Sequence, residues 1–180
     1  MFVKVCGIRS REQIDWAIDL GYSAVGVVLH PPSVRYCGPE AAGKLAAYAR
    51  GKIARVAVGV SFDEMEAVYD EFDFAQIYEY RKLDRLILAG SKPPLQYDYS
   101  YFLYDASKGS GQFSLLPDWL FAVQNRLIVS GGLNSYNVMQ VIRKYKPFGV
   151  DVSSGVETEP GIKDYGLMKK FMEEVKNAGD

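Results

Sequence analysis

Cysteine and histidine are scarce in this sequence, with two cysteines and one histidine among 180 residues. Two cysteines are too few for the disulfide framework of a small secreted domain, so we expect reduced thiols and a cytoplasmic protein. One histidine cannot form a histidine-based zinc site alone, and the Cys-x-x-Cys and His-Glu-x-x-His zinc motifs do not occur. We therefore expect neither a metal ion nor another cofactor.

A charge of one sign and a long hydrophobic run are also missing. Twenty-one Lys and Arg residues against 22 Asp and Glu residues leave a formal net charge of −1 at pH 7. This balance argues against a partner that is a nucleic acid or an anionic membrane, but it leaves room for a small basic pocket for a phosphorylated metabolite. No run approaches about 18 apolar residues, and the first residues do not resemble a signal peptide, so no membrane span or leader is expected.

The chain does have short apolar runs that alternate with amphipathic stretches, which is typical of an α/β protein. The predicted strands are Phe2–Val5, Ala24–Leu29, Ile53–Val60, Phe74–Ile77, Arg85–Leu88, Tyr101–Tyr104, Leu127–Val129 and Phe148–Val152. The predicted helices are Ser10–Leu20, Pro39–Arg50, Phe62–Tyr69, Ser135–Lys144 and Tyr165–Lys176, with a helical turn or two in Leu115–Phe121. Eight strands with such connections indicate one compact (β/α)₈ TIM barrel that forms a single domain over residues 1–180.

The length is short for this fold, which usually needs about 200 residues or more. Only Tyr78–Asp84 and Ala89–Ser100 connect the fourth, fifth and sixth predicted strands. A parallel crossover usually takes about a dozen residues or more, so we expect helices four and five to be shortened or replaced by irregular links. A doubly wound open sheet is the alternative. We expect the aromatic cluster of Tyr97, Tyr99, Tyr101, Phe102 and Tyr104 to pack where helix five is missing, rather than to form a binding platform.

Two reactive side chains fall at strand ends, where the active site of a parallel barrel lies. Cys6 closes the first strand, and its thiolate could act as a base or nucleophile; the alternative is an ordinary buried thiol. Asp105 closes the sixth strand beside the apolar Tyr101–Tyr104, where a carboxyl could stay protonated and act as an acid. Arg35, after the second strand, could bind a carboxylate or be a solvated loop residue. A thiol and a carboxyl that face each other suggest a cofactor-free isomerisation.

Two Ser-Gly turns follow the last two predicted strands, which is where barrels often bind phosphate. Glycines let backbone N–H groups approach a phosphate, although each turn by itself could be only a tight connection. The two turns are Ser130-Gly131-Gly132 and Ser153-Ser154-Gly155. Alternation along neighbouring strands also places Lys4 and Asp151 on the inner face of the barrel, and we expect them to pair there because a lone buried charge is costly.

Several segments together resemble the phosphoribosylanthranilate isomerase family of tryptophan biosynthesis. They are Lys4–Ile8 (KVCGI), Ser33–Tyr36 (SVRY), Ser130–Leu133 (SGGL), Gly149–Glu157 (GVDVSSGVE) and Pro160–Asp164 (PGIKD). The resemblance implies a (β/α)₈ barrel that catalyses an Amadori rearrangement, from N-(5-phosphoribosyl)anthranilate to 1-(2-carboxyphenylamino)-1-deoxyribulose 5-phosphate. It departs at Gln76–Glu79 (QIYE), where the family usually has Gln-Leu-His-Gly, and at Val34, where the family usually has proline.

The resemblance also implies a role for each site residue. Asp105 would protonate the ring oxygen of the sugar, Cys6 would take the proton from C2, and Arg35 would hold the anthranilate carboxylate. The phosphate would lie on the amides of the two Ser-Gly turns. The implied substrate-binding set is Arg35, Gly131, Gly132, Asp151, Ser153, Ser154 and Gly155.

Two other functions compete with this one. The first is the sugar-phosphate isomerase of histidine biosynthesis, which uses an aspartate where this chain has Cys6. The second is a barrel that binds a phosphorylated metabolite without catalysis, against which the presence of both Cys6 and Asp105 argues. The sequence leaves open a monomer or a homodimer, and it does not exclude a disulfide between Cys6 and Cys37.

Overall fold

Eight parallel strands close into a barrel in the computed structural model, which describes residues 1–95, 98–105, 107 and 116–179. The strands are β1 Phe2–Cys6, β2 Ala24–Val28, β3 Ala54–Val58, β4 Phe74–Ile77, β5 Leu86–Gly90, β6 Tyr101–Asp105, β7 Leu127–Ser130 and β8 Gly149–Val152. They follow one another around the ring in sequence order, and β1 pairs with β8 to close it. The predicted (β/α)₈ barrel is confirmed, and the alternative of an open sheet is wrong.

Four α-helices cover the outside of the barrel in the described part of the chain. They are α1 Arg11–Leu20, α2 Pro39–Ala49, α3 Val138–Tyr145 and α4 Tyr165–Asn177. Local sequence sets the ends of α1: the Ser10 hydroxyl accepts a hydrogen bond from the Gln13 amide, and Gly21 ends the helix with a φ of 86°. None of these helices is long and apolar enough to span a membrane.

The connections on one side of the barrel are thin, as predicted. Among the described residues, no helix lies between β4 and β5 or between β5 and β6. The helices expected after β4 and β5 are therefore replaced by irregular links, which accounts for the short length of the chain.

Two predicted helices differ from the structure because they form 3₁₀ turns. The stretch predicted as Phe62–Tyr69 consists of two such turns, Phe62–Glu64 and Glu66–Glu71. Phe62 and Met65 are buried and lie three residues apart, which is the period of a 3₁₀ helix. The turn predicted at Leu115–Phe121 is a 3₁₀ helix over Asp118–Arg126, and Leu115 itself lies outside the described residues.

The aromatic cluster is packing, as expected, but it divides between the two faces of β6. Tyr101 points inward and stacks on Phe2 and Phe148, with ring centroids 5.9 and 4.5 Å apart, at the amino-terminal end of the barrel. Phe102 and Tyr104 point outward and meet the edge of Trp119 in the 3₁₀ helix. Tyr97 lies outside the described residues. By the same alternation, Leu103 and Asp105 face the barrel interior with Tyr101.

A short antiparallel hairpin follows β8 and belongs to the site. It consists of β9 Glu157–Glu159 and β10 Ile162–Lys163, and a 3₁₀ turn at Ser154–Val156 precedes it. The carboxylate of Glu157 and the ammonium group of Lys163, both on this hairpin, lie at the end of the barrel where β1 and β8 finish.

Candidate active site

A cavity of about 560 Å³ opens at the carboxyl ends of the barrel strands. All but one of the predicted site residues line it, and the exception is Gly155. The predicted residues in its wall are Cys6, Arg35, Asp105, Gly131, Gly132, Asp151, Ser153 and Ser154. The thiol and the carboxyl that were predicted to act together, Cys6 and Asp105, therefore face one space.

Cys6 lies next to a buried lysine on the inner wall of the barrel. Register pairs Cys6 with Gly26 of β2, and a Cβ atom built on Gly26 would lie 3.1 Å from Cys6 Sγ and 3.2 Å from Lys4 Nζ. A methyl group here would crowd both side chains, and glycine avoids this. Burial raises the pKa of the Cys6 thiol, while the charges of Lys4 and Lys163 act in the opposite direction. The resting group is therefore a thiol beside two cations.

Lys4 and Asp151 pair inside the barrel, which confirms the expected contact. Lys4 Nζ lies 2.8 Å from Asp151 Oδ1, and the side chain of Lys4 is fully buried. Burial opposes the charge on Lys4, but Asp151 and then Cys6 more than offset it, so the pKa of Lys4 is raised. The Ser130 hydroxyl donates to Asp151 Oδ2 at 3.1 Å. Both oxygens of Asp151 are thus engaged by the protein.

Asp105 is held by side chains from two loops. Its Oδ1 accepts hydrogen bonds from the amide and the hydroxyl of Ser107, at 2.9 and 2.8 Å. Its Oδ2 accepts one from the hydroxyl of Tyr78, at 3.0 Å. Tyr78 follows β4 at the place where the resemblance led us to expect a histidine. Of residues 106–111, which follow Asp105, only Ser107 belongs to the described part of the chain.

Arg35 is engaged by a carboxylate of the protein itself. Its Nε and Nη2 bind Glu157 at 2.8 and 2.6 Å, and Lys163 Nζ lies 2.6 Å from the same carboxylate. Burial opposes ionisation of Glu157, yet the hydrogen bond from Arg35 and the charge of Lys163 lower its pKa to about 2. The stem of Arg35 crosses Gly7, where a Cβ atom would lie 2.5 Å from Arg35 Cδ.

The Ser-Gly turn after β7 has the backbone shape that only glycine adopts readily. Gly131 and Gly132 have φ values of 92° and 74°. Neither amide has an acceptor among the residues that the structure describes. Two adjacent amides without acceptors at the wall of a cavity suit a bound anion.

The turn after β8 packs directly against the turn after β7. A Cβ atom on Gly155 would lie 2.0 Å from the carbonyl oxygen of Leu133, so Gly155 brings the two turns together even though it is not in the cavity wall. The Ser153 hydroxyl donates to the Cys6 carbonyl at 3.0 Å, and Lys163 donates to the Ser153 carbonyl at 3.1 Å. Ser153 thus connects β1, the strand that contains Cys6, with the buried Lys163.

Sequence reasoning missed three residues that complete the site. Lys163 and Glu157 appeared only as letters in matching segments, and Tyr78 appeared only as a departure from the family pattern. A lysine followed by Asp164, which caps α4 through its side chain, reads as an ordinary start of a helix.

Neither a metal site nor a disulfide is present in the described ranges. No group of three or more His, Cys, Asp or Glu side chains is placed to hold a metal ion there. Cys6 and Cys37 are both free thiols, and both are buried. The disulfide that the sequence left open is not formed.

Comparisons with known proteins identify the family. Residues 91–174 match the profile of the family described as N-(5'phosphoribosyl)anthranilate (PRA) isomerase. The N-(5'-phosphoribosyl)anthranilate isomerase of Rhizobium leguminosarum is 33% identical over 218 aligned positions, which cover 98% of this chain and 94% of the relative.

Solved structures agree with this assignment. The phosphoribosyl anthranilate isomerase of Thermus thermophilus superposes with a TM-score of 0.84 at 27% identity, and the match covers 98% of this chain and 99% of the other. A second phosphoribosyl anthranilate isomerase, in complex with reduced 1-(o-carboxyphenylamino)-1-deoxyribulose 5-phosphate, superposes with a TM-score of 0.79 at 29% identity over 98% of this chain and 99% of that one. This chain is a member of the N-(5'-phosphoribosyl)anthranilate isomerase family.

Proposed function

We propose that this chain converts N-(5'-phosphoribosyl)anthranilate into 1-(2-carboxyphenylamino)-1-deoxyribulose 5-phosphate, with Cys6 and Asp105 as the two proton-transfer groups. The reaction is an internal redox isomerisation in which C1 is reduced and C2 is oxidised, so it needs no external oxidant or cofactor. The observation that carries the proposal is that Cys6, Asp105 and two glycine-rich turns line one cavity in a member of this family.

Asp105 acts first, as the general acid. Its O–H bond breaks as the proton moves to the ring oxygen, the bond from C1 to that oxygen breaks, and the nitrogen lone pair forms a C1=N double bond. The hydrogen bonds from Tyr78 and Ser107 then stabilise the carboxylate that remains. The product of this step is an open-chain cationic Schiff base.

Cys6 acts second, as the base that takes the proton from C2. The electrons of the C2–H bond form a C1=C2 double bond, and the C=N electrons return to nitrogen. The O2 proton of the enol then moves to the Asp105 carboxylate, and the Cys6 thiol gives its proton to C1, which forms the ketone and restores Asp105 as the acid and Cys6 as the base. Burial raises the pKa of the Cys6 thiol, the charges of Lys4 and Lys163 act against that rise, and the cationic Schiff base adds a third positive charge near the sulfur. The thiolate is therefore formed mainly when substrate is bound.

The phosphate lies on the amides of Gly131 and Gly132 and on the neighbouring turn at Ser154 and Gly155. Two turns that touch each other through Gly155 and the Leu133 carbonyl form one rigid cradle. Anion binding by backbone amides needs no basic side chain. This is consistent with the near-zero net charge of the chain.

Arg35 binds the anthranilate carboxylate through the nitrogen that Glu157 leaves available. Nε and Nη2 are occupied by Glu157, while Nη1 has no hydrogen bond to the described residues. Glu157 and Lys163 thus fix the direction of the guanidinium group rather than compete for all of it. Asp151 and Ser153 support the site from below, through Lys4 and through the Cys6 carbonyl.

We also propose that residues 1–180 fold as one domain and that the protein works in the cytoplasm as a monomer or a homodimer. The barrel uses strands from Phe2 to Val152, and α4 packs back on α1 and α3, so both ends of the described chain belong to one unit. Its two free thiols suit a reducing compartment.

Turnover of the named substrate tests the proposed function. Purified protein is incubated with N-(5'-phosphoribosyl)anthranilate, and the aminoketose is separated by chromatography because substrate and product have the same mass. We expect the ketose to form with wild type, and to form at least about 100-fold more slowly with Asp105→Asn. Binding of the substrate without turnover would instead identify a non-catalytic barrel.

A further inference from the structure

Tyr78 contacts the proposed acid from a position at which this chain departs from the family pattern. The hydroxyl of Tyr78 donates to Asp105 Oδ2 at 3.0 Å, and Asp105 Oδ1 is held by Ser107. The two oxygens of the Asp105 carboxyl are therefore held by different segments: Tyr78, after β4, binds Oδ2, and Ser107, after β6, binds Oδ1. With both oxygens held, the orientation of the carboxyl is determined.

The backbone of Tyr78 is fixed as firmly as its hydroxyl. The amides of Tyr78 and Glu79 both donate to the carbonyl of Val60, each at 3.0 Å, which ties the end of β4 to the loop after β3. Burial raises the pKa of the Tyr78 phenol well above its usual range, and the charge of Asp105 acts in the same direction. The phenol therefore keeps its proton and remains a hydrogen-bond donor throughout the pH range of an enzyme assay.

The ring of Tyr78 also borders two cavities, so an experiment must separate the role of the ring from that of the hydroxyl. Tyr78 borders the central cavity and also a second cavity of about 430 Å³, on the side of the barrel where no helix follows β4 or β5 among the described residues. The other described residues around the second cavity include Tyr80, Leu88, Gly90, Lys92 and Leu95. The ring thus forms part of the wall between the two spaces, while the hydroxyl contacts the acid.

We propose that Tyr78 is a positioning residue for Asp105, and this proposal rests on the function proposed above. Its hydroxyl holds the carboxyl toward the sugar and stabilises the carboxylate that forms when the Asp105 proton moves to the ring oxygen. Tyr78 itself gives up no proton in this step. A phenol thus contacts Asp105 from the position at which the family pattern has a histidine.

The first test compares Tyr78→Phe with the matched control Tyr80→Phe. Phenylalanine keeps the ring in the wall and removes only the hydroxyl, so we expect kcat to fall about 10- to 100-fold, the range for a hydrogen bond to a charged group, with little change in KM. Tyr80 borders the second cavity alone, and its variant should keep the wild-type kcat. Tyr78→His, which restores an N–H donor, should recover part of the lost rate.

The second test repeats the substitution in the Asp105→Asn background. If Tyr78 acts through Asp105, Tyr78→Phe should lower the residual rate by no more than about twofold there, because interacting residues are not additive. An equal loss in both backgrounds would overturn the positioning role and indicate a general effect on the barrel. The carboxyl-carbon NMR resonance of Asp105 gives a readout without turnover, and it should move in Tyr78→Phe but not in Tyr80→Phe.

The outcomes separate this proposal from the function on which it rests. An active wild type with an unimpaired Tyr78→Phe, or an Asp105 resonance that does not move, overturns the role of Tyr78 and leaves the isomerase intact. A folded wild type that forms no aminoketose overturns the proposed function and the positioning role together. Tyr78→Ala should raise KM as well as lower kcat, because it removes the wall along with the hydroxyl.

Discussion

The ammonium group of Lys4 lies 2.8 Å from the carboxylate of Asp151 inside the closed barrel, with the Lys4 side chain fully buried. Register places these two residues directly opposite each other on β1 and β8, the two strands that close the ring. Taking two charges out of water is costly, and it is tolerated here because each charge has the other as its partner. The pair thus places a positive and a negative charge inside the barrel, next to the thiol of Cys6.

Removing one member of this pair should be far worse than removing an exposed charge. Lys4→Met leaves Asp151 buried without its partner, so we expect the free energy of unfolding to fall by about 3–5 kcal/mol. Urea denaturation measures the change, and Lys169→Met, at an exposed site on α4, should change stability by less than about 0.5 kcal/mol. Adding Asp151→Asn to Lys4→Met should recover part of the loss. A single variant as stable as Lys169→Met would contradict this account.

The role of Cys6 is tested against the other thiol of the chain. Cys6→Ser should lower kcat by about 100-fold or more while KM changes little, because a serine hydroxyl is a much weaker acid than a thiol and cannot replace it as the base. Cys37→Ser is the control, since Cys37 is also buried but does not line the cavity. Steady-state kinetics measure kcat and KM for both variants, and Cys37→Ser should keep the wild-type values. Normal turnover by Cys6→Ser would remove this residue from the mechanism.

The fold was predictable because its main signals are local and repeated. The strand Ala24–Val28 is buried along its whole length and appears in the sequence as a continuous apolar run. Alternation along β1 and β8 is sufficient to predict the pairing of Lys4 with Asp151 from the sequence alone. The 3₁₀ turns were harder, because Phe62 and Met65 fit one face of an α-helix almost as well as a turn with three residues per repeat.

The parts of the site that sequence reasoning missed are contacts between distant segments. Tyr78 and Asp105 lie 27 residues apart, and Arg35 and Glu157 lie 122 residues apart. Nothing in the spacing along the chain indicates either contact, because each depends on how a loop or hairpin folds back over the end of the barrel. Arg35 was predicted to meet a carboxylate, but the sequence could not show that Glu157 of the same chain would occupy most of its nitrogens.

The carboxylate-binding role of Arg35 predicts a change in KM. Arg35→Ala should raise KM about tenfold or more and leave kcat within a few-fold, since the contact is the same in substrate and transition state. A substrate analogue that carries aniline in place of anthranilate has no carboxylate, and Arg35→Ala should leave its KM unchanged. If KM for the natural substrate stays at the wild-type value, another group binds the carboxylate.

The phosphate cradle can be tested with a pair of glycine variants. In Gly155→Ala the new methyl group would meet the Leu133 carbonyl at 2.0 Å, so the two Ser-Gly turns must move apart. We expect inhibition by inorganic phosphate to weaken about tenfold or more, a loss comparable to that of one or two charged hydrogen bonds. Gly43→Ala, in α2 with open space around it, should keep the phosphate inhibition and add up to about 1 kcal/mol of stability. Equal inhibition of both variants would place the phosphate elsewhere.

Ionised Glu157 should make the stability of the barrel depend on acid pH. Its pKa is lowered from 4.5 to about 2 in the folded protein, where burial opposes the charge but Arg35 and Lys163 more than offset it. The folded state binds this proton less tightly than the unfolded chain does, so the contribution is complete above pH 4.5 and is lost as the pH falls toward about 2. Urea denaturation at pH values across this interval should therefore give a shallower dependence for Glu157→Gln than for wild type. Glu159→Gln, an exposed change on the same hairpin, should follow wild type, and a Glu157→Gln curve parallel to wild type would show that another carboxylate carries the acid sensitivity.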